Sequence, residues 1–298
     1  MTKWWILLVV FATWIGLGCI LLRPRPAGAV SGDQPSRVPA RIVAMAPDIT
    51  EILFSLGLDK SVVGVTRDSD YPPAATQKPT VGTFWQPNIE AVIALKPDLV
   101  VTLNLQQQRG LAGRLTRMGY KCLTLDISTV DGLFAAIATV ATATNKGQQA
   151  ERVLGSMKAK MAAITDKIRA RDRVKVLWVV QREPLRVAGR NTFVNELIEL
   201  AGGENAIGQT LHVYPPIGGE QIIASAPQVI IEPTMSGDDA QGQHDQAASF
   251  WKRYTTVPAV ADGRIYVING DLVSRLSPRL GDGIETIAKC LHPEVFGE

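Results

Sequence analysis

A chain of 298 residues that is 46% hydrophobic and 20% charged has the length and apolar content for two medium domains with a real core. Its 31 basic and 28 acidic residues leave a net charge of only +3, and no basic run interleaves with aromatics, so neither a nucleic-acid footprint nor an acidic tail is present. Three cysteines are too few for a disulfide scaffold.

The N-terminus is the first informative segment. Lys3 precedes an uncharged apolar run from Trp4 to Leu22, which Arg23-Pro24-Arg25-Pro26 stops and Ala27-Gly28-Ala29 follows. The run is long for a secretory signal core and just long enough to span a bilayer. Residues 1–29 therefore read as a signal peptide cleaved after Ala29 or as a retained membrane anchor. Cys19, behind Gly16-Leu17-Gly18, offers a third fate as a lipid-attachment site, although the usual leucine three places earlier is missing. Each reading carries the body of the chain out of the cytoplasm. Residues 30–40, rich in Pro, Ser and Gly, form a tether.

Beyond the tether, strands and helices alternate. Arg41–Met45 predicts a strand, Ala46-Pro47-Asp48 a turn, and Thr50–Leu58 an amphipathic helix closing at Gly57. Val62–Val65 is a second strand and Asp68–Pro73 a turn-rich loop. Asn88 can cap a helix over Ile89–Leu95, and Leu99–Leu103 is a strand. Arg109–Gly119 and Val130–Thr142 are helices flanking a strand over Lys121–Asp126. This spacing means βαβ units and a mostly parallel sheet.

Gln148–Arg171 differs. It lacks Pro and places Val153, Leu154, Met157, Met161, Ile164 and Ile168 at helical spacing, which makes a rod of about 36 Å at 1.5 Å per residue. The alternation then resumes, with strands over Val174–Val180 and Val229–Glu232 and helices over Thr192–Ala201 and Gln221–Ala224. The second half also echoes the first. Residues 89–101 align without gaps on residues 219–231, and Glu51-Ile52-Leu53 ahead of Gly57 mirrors Glu196-Leu197-Ile198 ahead of Gly202. The fold class expected is α/β: two Rossmann-like lobes, residues 41–145 and 172–298, joined by one long rigid helix over residues 146–171. A ligand cleft belongs between such lobes.

Catalytic signatures are absent from the sequence. It contains no Gly-rich phosphate loop followed by Lys-Ser/Thr and no Gly-x-Ser-x-Gly elbow. His212, His244 and His292 stand apart without metal-ligand spacing, and Cys122 and Cys290 read as small buried hydrophobes within a strand and the last helix. The architecture suits binding without catalysis and calls for no cofactor.

From Arg41 onward the chain resembles the periplasmic binding proteins of ABC importers for cobalamin, iron siderophores and haem, most of all the cobalamin-binding branch. The resemblance rests on Ser69-Asp70-Tyr71-Pro72-Pro73, Val81-Gly82-Thr83, the stretch from Asn88 to Val100, Ala201-Gly202-Gly203-Glu204-Asn205, and Ser277-Pro278-Arg279. It implies two lobes bridged by a long helix, a transported small-molecule ligand such as cobalamin, and as partner a permease dimer with its ATPase. It also implies ligand-facing aromatics, here Tyr71, Phe84 or Trp85, and Tyr214, and a polar pair, Asp271 and Arg275. Glu90 and Glu220 match the acids that protrude from each lobe to meet permease arginines. Two departures stand out. Arg186 replaces an aromatic ahead of the Gly189 turn, and Leu272-Val273-Ser274 replaces bulky aromatics between Asp271 and Arg275. An added cation in the cleft would suit an anionic ligand, so a ferric siderophore or haem is the alternative, with Tyr71 or Tyr214 as axial ligand.

Overall fold

The computed structural model describes residues 38–234 and 240–297. The leader, Cys19 and residues 30–37 of the tether lie outside the described residues. No helix among the described residues is long and apolar enough to cross a membrane.

Four strands build the first sheet: β1 (Ile42–Ala44), β2 (Val62–Gly64), β3 (Leu99–Leu103) and β4 (Cys122–Leu125), in the order β2-β1-β3-β4 and parallel throughout. Their crossovers carry α1 (Pro47–Ser55), α2 (Ile89–Ala94) and α3 (Gln106–Arg117). β1 and β3 are buried on both faces, as continuous apolar runs under helices must be. α4 (Val130–Thr144) leads into α5 (Gly147–Ile168), with Asn145 in the left-handed conformation between them. At 22 residues, α5 is a rod of about 33 Å. Met157, Ile164 and Ile168 bury one stripe of it, and it packs against α4 and against α11 (Leu280–Leu291).

The second sheet runs β6 (Leu185–Val187), β5 (Val174–Arg182), β8 (Val229–Pro233), β9 (Ile265–Ile268), with β7 (Gly203–Asn205) paired to the start of β5. β6 is antiparallel; the others are parallel. Helices α6 (Phe193–Leu200), α7 (Gly219–Ser225), α8 (Ala240–Trp251), α9 (Pro258–Ala261) and α10 (Gly270–Val273) lie on the connections, and α12 (Pro293–Phe296) follows α11. The α/β architecture with two sheets and one long helix between them is the one expected. Among the differences from the sequence expectation, two have a clear cause. α1 begins at Pro47, because proline is preorganised for the first helical position. β5 runs on to Arg182, since β6 folds back to pair with its far end.

The internal echo is three-dimensional. Lys96 and Ala226, at matching positions, both take the left-handed conformation, at φ 46° and 42°. Asp98 accepts from the backbone N–H of Arg41 at 2.9 Å while its own N–H donates to the Arg41 carbonyl at 2.8 Å; Gln228 does the same with Lys175, at 2.8 Å each way. Gly57 and Gly202, at φ 69° and 84°, end α1 and α6 alike. The largest buried cluster runs unbroken from β1 and α1 through α4 and α5 into β5, α6 and α11. The two sheets are thus tied to one core.

Candidate functional site

A cavity of about 670 Å³ opens between the two sheets, within the usual size range of small-molecule sites. Loops at the carboxyl ends of the strands form most of it, where open α/β sheets place their ligands. Leu103 ends β3, Leu105 follows it, and Ile127 follows β4. From the other side come Thr234 beyond β8 and Gly270 beyond β9. Only glycine fits at 270, because a Cβ there would meet the Thr234 carbonyl oxygen at 1.8 Å.

The aromatic wall is built locally. Gly82, at φ 94°, has no room for a side chain, since a Cβ would lie 2.5 Å from the Gln86 carbonyl oxygen. The turn beyond it closes through Thr83 N–H to the Gln86 carbonyl at 3.1 Å and Gln86 N–H to Thr83 Oγ1 at 2.9 Å. Asp68 anchors it by accepting the Phe84 N–H. Phe84 and Trp85 then stand edge to face, centroids 4.8 Å apart, with Trp85 70% exposed at the rim. Phe193, at the first turn of α6, supplies a third ring.

Charges sit on one side. Arg275 reaches Asp271 at 2.7 Å and Asp70 at 3.2 Å, so that one guanidinium joins a loop of the first sheet to the segment after α10. Beside it, Arg279 makes a two-pronged pair with Glu51 of α1, at 2.8 and 2.6 Å. Glu51 is 3% exposed, and the Arg279 guanidinium also lies 3.8 Å from the centroid of the Tyr71 ring. Asp48, one turn earlier on α1, is 9% exposed and lines the cavity. Burial above all pushes its carboxyl up to about 7, with Glu51 adding to the rise and the Ile49 N–H and Arg275 opposing it.

Of the residues singled out in the sequence, Phe84, Trp85, Asp271 and Arg275 line this cavity together. Tyr71 lies beside them, 41% exposed and covered by Arg279. Arg186 and Tyr214 are not among the lining residues. Arg186 donates to the Tyr214 carbonyl at 3.3 Å, and the Tyr214 ring is half-buried against the main core, where burial raises its phenol pKa. Glu90 and Glu220 are exposed in the first turns of α2 and α7. Sequence reasoning missed Asp48, Arg67, Asp68 and Phe193 in the lining. Asp48 and Phe193 occupy matching positions of the two echoing helices, and the repeat was the signal that could have found them. Of the histidines, His292 is buried against Gly202, whereas His212 and His244 are exposed. Cys290 is buried and Cys122 half-buried.

Residues 42–272 match the model of the periplasmic binding protein family. The vitamin B12-binding protein of Pectobacterium atrosepticum is 27% identical over 248 residues, 82% of this chain and 85% of that protein. An ABC transporter substrate-binding lipoprotein of Bacillus subtilis is 28% identical over 267 residues, 87% of this chain and 82% of that one. Among solved structures, the apo periplasmic haem-binding protein of Roseiflexus sp. RS-1 superposes with a TM-score of 0.73 at 27% identity, covering 86% of this chain and 98% of that one. The periplasmic vitamin B12-binding protein of Vibrio cholerae gives 0.72 at 23% identity, with 88% and 99% covered, and shows the same fold. Strands that end in a shared cleft, a helix that spans two sheets and a family match over most of the length agree: the chain belongs to the periplasmic binding protein family, as a substrate-binding protein of the vitamin B12, haem and siderophore group that serves ABC transporters.

Proposed function

We propose that this protein captures cobalamin or a related corrinoid in the inter-sheet cleft and delivers it to an ABC permease. The observation that carries the reading is the composition of the cavity wall. Phe84, Trp85, Phe193, Leu103, Leu105 and Ile127 give an apolar and aromatic face, which suits a broad flat ring system. Against it stand four acids, Asp48, Asp68, Asp70 and Asp271, and two cations, Arg67 and Arg275. A surplus of carboxylates disfavours a ligand that brings carboxylates of its own, as haem does, and suits uncharged amide side chains such as those around a corrin. Arg186, the one added cation that pointed toward an anion, is outside the lining. No His, Tyr, Met or Cys lines the cavity among the described residues, and Tyr71, the axial candidate beside it, has its ring covered by the Arg279 guanidinium.

Carriage to the permease rests in this reading on Glu90 and Glu220, one exposed acid for each lobe, facing the arginines of a two-fold symmetric partner. Residues 1–29 keep the protein outside the cytoplasm, by export or by anchoring. The test is retention of colour: protein incubated with cyanocobalamin and desalted keeps the red corrinoid bands. Retention of haemin with loss of cyanocobalamin under the same washing contradicts the corrinoid assignment and favours the haem reading.

A further inference from the structure

Asp48 is a nearly buried acid in the wall of the cleft. Its Oδ1 accepts the neighbouring Ile49 N–H at 2.8 Å, and no ion pair reaches it among the described residues. The cations nearby are committed elsewhere: Arg275 to Asp70 and Asp271, Arg279 to Glu51. Glu51 from the same helix and Asp68 and Asp70 from the loop after β2 add negative charge, and Arg67 of that loop faces the same cavity with its side chain exposed. Asp48 still meets water, because it lines the open cavity. A ligand seated there removes that water, and an ionised carboxylate then faces a low-dielectric surface with only the Ile49 N–H and the more distant, already paired Arg275 to offset its charge.

We infer that Asp48 is a ligand-contact residue that meets the bound molecule as the neutral carboxylic acid, so that capture takes up a proton and is tighter in mildly acidic than in alkaline medium. The acid's O–H then donates to a hydrogen-bond acceptor of the ligand, an amide carbonyl or a hydroxyl, and its carbonyl oxygen stays available to an N–H donor. Such a group selects for uncharged, amide-bearing ligands and adds a pH response to capture. The carboxyl's elevation to about 7 places the transition where that response is felt. The sign follows from linkage: a complex that holds only the protonated form loses affinity as the pH rises above the free protein's pKa, by up to about tenfold per pH unit. The inference rests on the corrinoid reading only for the choice of probe.

The experiment titrates the protein with cyanocobalamin at pH 6 and pH 8.5, for the wild type and for Asp48→Asn, and follows the carboxyl carbons of the ligand-free wild type by NMR. The expected result is an affinity about tenfold or more lower at pH 8.5 for the wild type and a flat profile for Asp48→Asn. A carboxyl that titrates near neutrality in the free protein, absent from Asp48→Asn, completes the expectation. Equal wild-type affinity at the two pH values, or an unchanged slope in Asp48→Asn, overturns the role of Asp48. So does the lack of any carboxyl titrating between pH 6 and 8, whatever the ligand. Failure of cyanocobalamin to bind at either pH, with that titration present, instead contradicts the corrinoid assignment and leaves the acid in place.

Discussion

Trp85 shows how a single residue can be placed by its neighbours. It lies on a turn that Gly82, Thr83 and Asp68 hold closed, so its ring is presented at the cavity rim without relying on core packing. A ring that is 70% exposed in the free protein has most of its apolar face to gain from a flat ligand. Trp85→Ala is therefore expected to weaken cyanocobalamin binding about tenfold or more, near 1.4 kcal/mol, with little change in melting temperature. Arg186→Ala serves as the contrast, with affinity changed less than about twofold, because that guanidinium bonds a carbonyl outside the cavity. Titration of both variants checks the pair of expectations. At this scale the sequence was legible where a residue stood in a turn of distinctive make-up, as Phe84 and Trp85 do. Asp48 and Phe193 escaped because each opens a helix, where an acid or an apolar residue has an ordinary local explanation in capping and packing. Arg186 and Tyr214 are near the cleft-forming loops in the chain, but pairing of β6 with β5 determines where they end up, and no local pattern reports a pairing over that distance.

Among the elements, α2 and α7 repay comparison. Each is short, ends at a left-handed residue followed by proline, and feeds a buried parallel strand. The gapless match of residues 89–101 with 219–231 makes this legible in the sequence, because helix, turn and strand are all local here. Among the elements that remained hidden were β6, β7 and the short helices α9, α10 and α12, whose three or four residues are too few to establish a period; α8 and β9 were not expected either. Glu90 and Glu220 complement the positive ends of their helices, an effect of about 0.3–1 kcal/mol each, which needs no partner. Their exposure in both repeats is what favours docking. Glu90→Arg combined with Glu220→Arg is expected to abolish ligand uptake by cells while the purified protein keeps its affinity. Normal uptake would remove the docking role, and lost affinity would assign these helices to the cleft.

The whole molecule is held by a reciprocal exchange between its halves. Glu51 of α1 reaches across 228 positions of sequence to Arg279, ahead of α11. Its counterpart in the repeat, Glu196 of α6, accepts the Val130 N–H at the start of α4, at 2.8 Å. The echo between Glu51-Ile52-Leu53 and Glu196-Leu197-Ile198 was visible in the sequence, but its purpose was not, since each partner lies in the opposite half. Breaking a buried pair by removing one member costs about 3–5 kcal/mol. Arg279→Met should fall near the low end, about 3 kcal/mol, because Arg275 Nη1 stays 3.9 Å from Glu51 Oε1. Denaturant unfolding measures this, and adding Glu51→Gln to Arg279→Met should restore much of the loss.

Such a cross-braced frame, with one core cluster running through α5, should receive its ligand into a cleft that is already formed. The most direct measurement of the central claim is a calorimetric titration of the purified protein with cyanocobalamin, repeated in the presence of excess haemin. One-to-one binding of cyanocobalamin that haemin does not displace is the predicted result. No heat with cyanocobalamin and saturable binding of haemin would contradict it.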